Sequence, residues 1–305
     1  MLRYVISRFL QSLCVIFAVF TLTFFMIRLS KGDPFMGEKV MPPEIRKVME
    51  VQYGLDQPLG VQYVRTLGAY IRGDFLPSMK YSGRWNQDII GDSFPVSFTI
   101  GVMALMIAMA LGIPAGMIAA VKRNTWLDYS VMSLAMAGIC LPGFVLGPLL
   151  LYFFGLKLQW FNVGGWFERT DWVLPALTLG LAYTASFARL TRGGMLEVLN
   201  QDYIRTARAK GVPPGRIVIF HALRGGLVPA AAFLGPALAG ITTGGVILEK
   251  IFTLPGLGQH FVSSVLARDY TLILATCVFY AAILVVANFA ADLLVAWLNP
   301  RARLS

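Results

Sequence analysis

The chain has 305 residues, 57% of them hydrophobic and only 14% charged, with a mean hydropathy of +0.67; water-soluble domains carry about 25% charged residues, so a soluble fold is excluded and a membrane protein indicated. A net charge of +10 does not argue for nucleic acid as a partner, because the basic residues lie between apolar runs instead of sharing one surface. Cys14, Cys140 and Cys277 each stand alone in an apolar segment, without metal or disulfide spacing, and read as small packing residues.

In chain order, the first segment carries Arg3 and Arg8 and then an apolar run of about 20 residues, the length that crosses a bilayer core. Leu29-Ser30-Lys31 offers no small-residue cleavage site, so the run is an uncleaved span and not a signal peptide. The six candidate spans are residues 9–29, 97–121, 130–154, 172–188, 228–248 and 272–297. They imply an all-α membrane protein with six transmembrane helices and both termini on one side. Residues 1–96 form the first helix plus an extracytoplasmic (periplasmic) segment, 97–298 a five-helix core, and 299–305 a tail. Within the first part, Pro42-Pro43 opens a helical pattern ending near Gly54, and Pro58 opens another with Val61, Val64, Gly68 and Ile71 on one face. This pair reads either as interfacial helices or as a docking surface for an outside partner.

Lysine and arginine orient the spans. The N-terminus, the 122–128 loop, the 189–227 loop and the tail carry thirteen basic residues against three acids, Asp128, Glu197 and Asp202, which makes that side, and both termini, cytoplasmic. The other side has as many basic residues, but nine lie between Arg28 and Pro95 among eight acids, and long segments cross largely regardless of charge. Its short loops are sparsely charged, with Lys157, Lys250 and Arg268 among them.

Glycine and proline recur within the spans, at Gly112-Ile113-Pro114-Ala115-Gly116, Leu141-Pro142-Gly143, Pro175, Pro229 and Pro236. Backbone groups freed by these residues need partners from neighbouring helices or water, so the spans form a bundle. Ala232, Pro236, Gly240 and Gly244 follow a four-residue spacing that permits close helix packing or lines a pathway. No phosphate-cradling G-x-x-x-x-G-K-[ST], H-E-x-x-H or G-x-S-x-G occurs, and His221 and His260 fall on opposite predicted sides, which disfavours a membrane enzyme. Asp292 is the one acid well inside a span; it reads as a structural charge partnered by Arg189 or Arg192, with a proton relay as the alternative.

The 189–227 loop holds the most informative stretch, "YIRTARAKGVPPGRIVIFHALRGGLVP" at residues 203–229. Tyr203 to Lys210 predicts a short helix, since Ala207 and Ala209 favour it, Gly211 stops it and Pro213-Pro214 blocks continuation. Thr206, Ala207 and Gly211 give it a small side, and Arg205 and Arg208 at i and i+3 give it charge. A solvated basic loop is the plain reading; a helix shaped for a partner's groove is the sharper one. The stretch resembles the cytoplasmic "EAA" loop of binding-protein-dependent ABC importer permeases, in which a coupling helix docks on an ATPase subunit. Gly211 takes the place of that motif's glycine and Ala207 that of its second alanine. Arg205 stands where the motif has glutamate, and Arg224 where its later proline falls, with Pro229 five residues on. Both departures resemble the peptide and nickel branch of the family.

The likeness extends over most of the chain: "RLSKGDPFMGE", "YGLDQPLGVQY", "RGDF", "GIPAGMIAA", "FTLPGLGQHFVSSVLARDY" and "NFAADLLVAWLNPRAR" are similar to the B-type membrane subunit of oligopeptide permeases. The resemblance implies the type I ABC importer permease fold in a bacterial inner membrane. It implies peptide transport with a homologous second permease as heterodimer partner, two ABC ATPase subunits and an extracytoplasmic peptide-binding protein. ATP and magnesium would be used by the ATPases, and this chain would bind no cofactor or metal and have no catalytic residue. Tyr203, Arg205, Thr206, Ala207, Arg208, Lys210, Gly211, Arg216 and His221 would form the ATPase-coupling surface. Pro255, Gly256 and Gly258 would belong to an outward-side re-entrant loop that either caps the pore or meets the incoming peptide or its binding protein. The alternatives are a dipeptide or nickel importer of the same family, or a channel or secondary transporter without an ATPase.

Overall fold

The computed structural model describes residues 2–30, 34–35, 42–81 and 83–298; the predicted tail with Arg301 and Arg303, and most of "RLSKGDPFMGE", lie outside the described residues. The described part is helical, with an isolated bridge between Pro77 and Trp85. In order, the helices are α1 (Leu2–Leu29), α2 (Pro43–Gln52), α3 (Leu59–Ile71), α4 (Asn86–Val121), α5 (Trp126–Cys140), α6 (Gly143–Leu150), α7 (Val173–Leu199), α8 (Asp202–Ala209), α9 (Pro214–Arg216), α10 (Leu223–Gly226), α11 (Val228–Ala232), α12 (Leu234–Ile251), α13 (Leu257–Ala267) and α14 (Tyr270–Leu298). Two π-helical segments, Leu151–Lys157 and Ile217–Ala222, extend α6 and join α9 to α10.

Four of these, within α1, α4, α7 and α14, are single helices long and apolar enough to cross a membrane; α5 with α6 makes a fifth candidate, bent by 92°. The third predicted span, 130–154, is therefore not one straight helix. Pro142 lacks an amide hydrogen and disfavours helical backbone at the residue before it, and Leu141 accordingly adopts extended angles (φ −95°, ψ 111°). The fourth, 172–188, continues eleven residues further, so Arg189 and Arg192 sit on α7 and not in a loop. The fifth, 228–248, is divided between α11 and α12.

Two compact units emerge. In the first, residues 1–9, 96–255 and 284–305, α7 is the hub, contacted by α5, α6, α10, α11 and α12. Its core includes Phe187, Leu179, Ile100, Ile241, Leu248 and Phe252. The sequence Gly112-x-x-x-Gly116 on α4 explains how α4 reaches α7: a Cβ at Gly116 would overlap the Ala188 carbonyl, and one at Gly112 the Thr184 carbonyl and Phe187. Only glycine lets two backbones come this close. Buried Thr178 and Thr184 satisfy their hydroxyls on carbonyls four residues back, at 2.7 and 2.9 Å.

The second unit comprises residues 10–95 and 256–283. Phe20 and Phe24 of α1, Tyr63 and Tyr70 of α3, and Leu274 of α14 form an aromatic core, with the Phe20 and Tyr70 rings 5.2 Å apart. Burial raises the Tyr70 phenol above its usual range. Gly54 ends α2 at φ +65°, a conformation glycine adopts without strain. Val61, Val64 and Ile71 of α3 are exposed, while Gln62 and Thr66 face inward. Asp269 is fully buried and accepts hydrogen bonds from the Ser78 hydroxyl, the Met79 amide (3.2 Å) and the Lys80 amide (3.2 Å). It also accepts from Thr271 Oγ1 (3.0 Å) and the Leu272 amide (3.1 Å), so one carboxylate caps the start of α14 and anchors the loop at 78–80.

Candidate functional site

The predicted short helix is α8, Asp202–Ala209. Its end is a Schellman motif: the Gly211 amide bonds the Arg208 carbonyl at 2.9 Å and the Val212 amide the Ala207 carbonyl at 3.2 Å, with Gly211 at φ +75°. Ile204 and Ala207 are buried against Met195 of α7, Ala120 of α4, and Ile217 and Ala222 of the π-helical segment. Val212 joins this cluster, supplying the apolar contact that accompanies such a cap. Ala207, read from sequence as part of the small docking side, is thus turned into its own chain. Its small size serves the seating of α8 on α7.

The exposed face of α8 carries Tyr203, Arg205, Thr206, Arg208 and Lys210, and Gly211 and Arg216 continue it. Arg205 lies 3.5 Å from Asp202, and both are largely solvated, so the pair holds little energy. The face remains cationic through Arg208, Lys210 and Arg216. A cavity of about 310 Å³ adjoins it, lined by Val121, Leu199, Arg208, Val212, Pro214, Ile217 and Val218. His221 is exposed and its Nδ1 sits 3.3 Å from the Arg216 carbonyl, while its own carbonyl is 3.5 Å from the Tyr203 hydroxyl. A cationic, half-apolar face on a rigid two-bond cap can bind an acidic surface. It holds no nucleophile paired with a base.

Two features fix this face to the bundle, and sequence reasoning missed each. Arg192 on α7 forms a two-pronged ion pair with Asp128 of α5, with Nε and Nη2 each 2.7 Å from a carboxylate oxygen. Asp128 is 2% exposed and also receives the Asn124 amide at 3.0 Å. The spacing Thr125-x-x-Asp128 is a helix-start pattern that pointed there. Arg224, which stands where the family's loop has proline, donates to the Trp297 carbonyl (3.1 Å) near the end of α14 and lies over the Trp297 ring, 5.6 Å from its centroid; a cation suits a helix C-terminus. Away from this face, toward the start of α4, the Ser97 hydroxyl donates to the buried Glu249 of α12 at 2.6 Å, a pair that sequence reasoning also missed.

Asp292 needs a correction. Its partner is neither Arg189 nor Arg192 but Arg8 of α1, at 3.3 Å. Arg192 is held by Asp128, and Arg189 points its Nη2 to Met136 Sδ at 2.7 Å. Sequence could not show that α1 and α14, at opposite ends of the chain, come together here. Pro255 and Gly256 lie in the turn after α12, with Gly256 at the N-cap of α13, and Gly258 is buried within α13. Asp171, just before α7, is held below the usual carboxylate range: burial pushes it up, but the Glu168 and Phe167 amides (2.7 and 2.6 Å) and Asn162 outweigh that.

Residues 1–107 match the family described as "Binding-prot-dependent transport system membrane comp, N-term", and residues 112–304 match "Binding-protein-dependent transport system inner membrane component". The oligopeptide transport system permease protein OppB of Escherichia coli (strain K12) is 44% identical over 305 residues, 99% of this chain and 100% of that one. OppB of Haemophilus influenzae is 41% identical with the same coverage. The dipeptide transport system permease protein DppB of Bacillus subtilis (strain 168) is 43% identical over 304 residues, 100% of this chain and 99% of that one. In fold, the chain is similar to the inward-facing MetNI methionine ABC transporter, with a TM-score of 0.57 at 17% identity, covering 69% of this chain and 96% of the other. Helices long enough to span, a hub helix that runs on into a short exposed one, and family matches over nearly all residues agree: this chain belongs to the inner-membrane permease components of binding-protein-dependent ABC transporters, and is a multi-pass membrane subunit.

Proposed function

We propose that this chain is one of two homologous permease subunits of an ATP-driven importer that takes up oligopeptides handed over by an extracytoplasmic binding protein. The observation that carries this reading is the 44% identity to OppB across the full length of both chains. Dipeptides are the second reading, on the 43% identity to DppB. Six spans with cytoplasmic termini suit the lysine and arginine bias. Two ATPase subunits bind on the cytoplasmic side and use ATP with magnesium, while this chain performs no covalent step. The exposed residues of α8 and its cap, Tyr203, Arg205, Thr206, Arg208, Lys210, Gly211, Arg216 and His221, meet an ATPase, whose closure moves α8. Because α8 is packed on α7 through Ile204 and Ala207, and α7 is the hub of its unit, that motion passes to the bundle. Asp292 serves as a structural charge and the turn at Pro255, Gly256 and Gly258 as part of the outward face. The test is copurification in detergent followed by uptake of labelled peptide into vesicles with and without ATP. Uptake without any copurifying ATPase would assign the chain to channels or secondary carriers instead.

A further inference from the structure

The helix α3 is built inside out. Gln62 and Thr66 are buried, whereas Val64 and Ile71 are 68 and 78% exposed and Val61 lies open beside them. One exposed apolar residue means little, but buried polar groups opposite an exposed apolar stripe mark a helix whose outer neighbour is not water. At about 100° per residue Val61, Val64 and Ile71 share one side of the helix, and the exposed Arg65 and Arg72 lie together along one edge of it.

The contacts of α3 with α1, inside the second unit, give its depth. The apolar run of α1 is bounded by Arg8 and Arg28, which stand about 30 Å apart at about 1.5 Å per residue, the thickness of a bilayer's hydrocarbon core. Arg28 therefore marks one face of that core. The Thr21 hydroxyl donates to the Phe17 carbonyl at 2.8 Å, so at 2.9 Å it accepts from the Tyr63 hydroxyl. Thr21 lies about 10 Å inside the level of Arg28. The ring of Phe20, deeper still, has the Tyr63 and Tyr70 rings at 5.8 and 5.2 Å. Those two tyrosines stand about 10 Å apart along α3, yet both reach Phe20, so α3 crosses α1 at one level instead of running beside it. With a tyrosine's length allowed for, a helix lying crosswise there has its axis at or below the level of Arg28.

We propose that α3 is an interfacial helix of the bilayer, with Val61, Val64 and Ile71 among the acyl chains and Arg65 and Arg72 at the lipid phosphates. Lipid, and not an outside protein, then covers the apolar stripe, which selects one of the two readings that sequence left open. Long arginine side chains reach from such a helix to the phosphate level. The leaflet is the extracytoplasmic one on the orientation proposed above, and the depth depends neither on that orientation nor on the cargo. A binding protein delivering peptide must meet other surfaces of this chain.

The test uses the complete permease complex in vesicles. Val64→Cys, Ile71→Cys and Arg65→Cys, each made singly with Cys14, Cys140 and Cys277 replaced by alanine, carry a nitroxide. The labels at 64 and 71 are expected to collide with oxygen and to be shielded from a water-soluble nickel chelate, at a depth of about 5–10 Å below the phosphates. The label at 65 should lie shallower than either. Labels at 64 and 71 open to the chelate would mean a solvated face, and labels closed to both quenchers a protein cover; either result overturns the proposal. As a second measurement, Val64→Gln/Ile71→Gln should speed amide exchange in α3 about ten-fold or more, because glutamine is tolerated facing water and not facing acyl chains. Unchanged exchange would also overturn it. Labels among acyl chains in a complex that imports no peptide would uphold the placement and remove the peptide reading alone.

Discussion

Gly211 offers a way to separate damage to the permease from damage to its coupling. It sits at φ +75°, and a Cβ placed there meets nothing within 4 Å. Alanine and leucine therefore share one penalty, the left-handed backbone, at about 1–2 kcal/mol, and neither clashes with the chain itself. They differ in what projects outward from the Schellman cap, into the space where an ATPase would close. Forcing extra methylenes into a packed interface costs about 1–3 kcal/mol, and each 1.4 kcal/mol is about ten-fold in an equilibrium. Gly211→Ala is thus expected to lower thermal stability slightly and keep peptide-stimulated ATP hydrolysis. Gly211→Leu should match it in stability and lose about ten-fold or more of the stimulation, whereas Gly211→Asn, tolerant of this backbone, should behave as wild type. Both readouts come from the purified complex, by unfolding in detergent and by phosphate release in vesicles. If Gly211→Leu stimulates as Gly211→Ala does, the surface beside the cap is not a docking surface.

Arg192→Leu strands the buried Asp128 carboxylate with only the Asn124 amide, and the loss should be about 3–5 kcal/mol in a denaturant titration, with Asp128→Asn/Arg192→Leu recovering part of it. Asp292→Asn is expected to cost about 1 kcal/mol and to leave transport intact, because the Arg8 pair is partly exposed; abolished transport in a folded protein would make Asp292 a proton carrier instead. Burial, and next Arg84, hold the His260 imidazole below its ordinary value, so its contribution to stability is whole above about pH 6.5 and lost as pH falls through the lowered native value. Intrinsic-rate-corrected amide exchange in α13 should therefore be faster at acid pH than at neutral pH, and His260→Gln should flatten that difference. Gly116→Val should separate α4 from α7, since even a Cβ overlaps the Ala188 carbonyl, with a loss of about 1–3 kcal/mol.

Much of the local structure of the candidate coupling surface was legible because its signals are local. A short helix that ends at glycine and cannot cross Pro213-Pro214 depends on residues a few positions apart, and the observed α8 ends with the expected stop at Gly211. The starts of α2 and α3 behind prolines follow from the same short-range rules. Ala207 was placed on the wrong side because helix periodicity names faces without saying which neighbour each one meets. The 130–154 stretch was legible as apolar but not as bent, since hydropathy averages over Leu141-Pro142-Gly143 while the backbone obeys the single proline.

Composition and apolar length determined that this chain lives in a membrane, and charge placement near the ends of the spans set the expectation for its orientation. Tertiary structure alone decided which charges meet: Asp292 with Arg8, Asp128 with Arg192, Arg224 with the end of α14. The reason is one of range. Solvation by lipid acts on each residue where it stands, whereas an ion pair or a cavity exists only once segments far apart in the chain have been brought together by close helix packing.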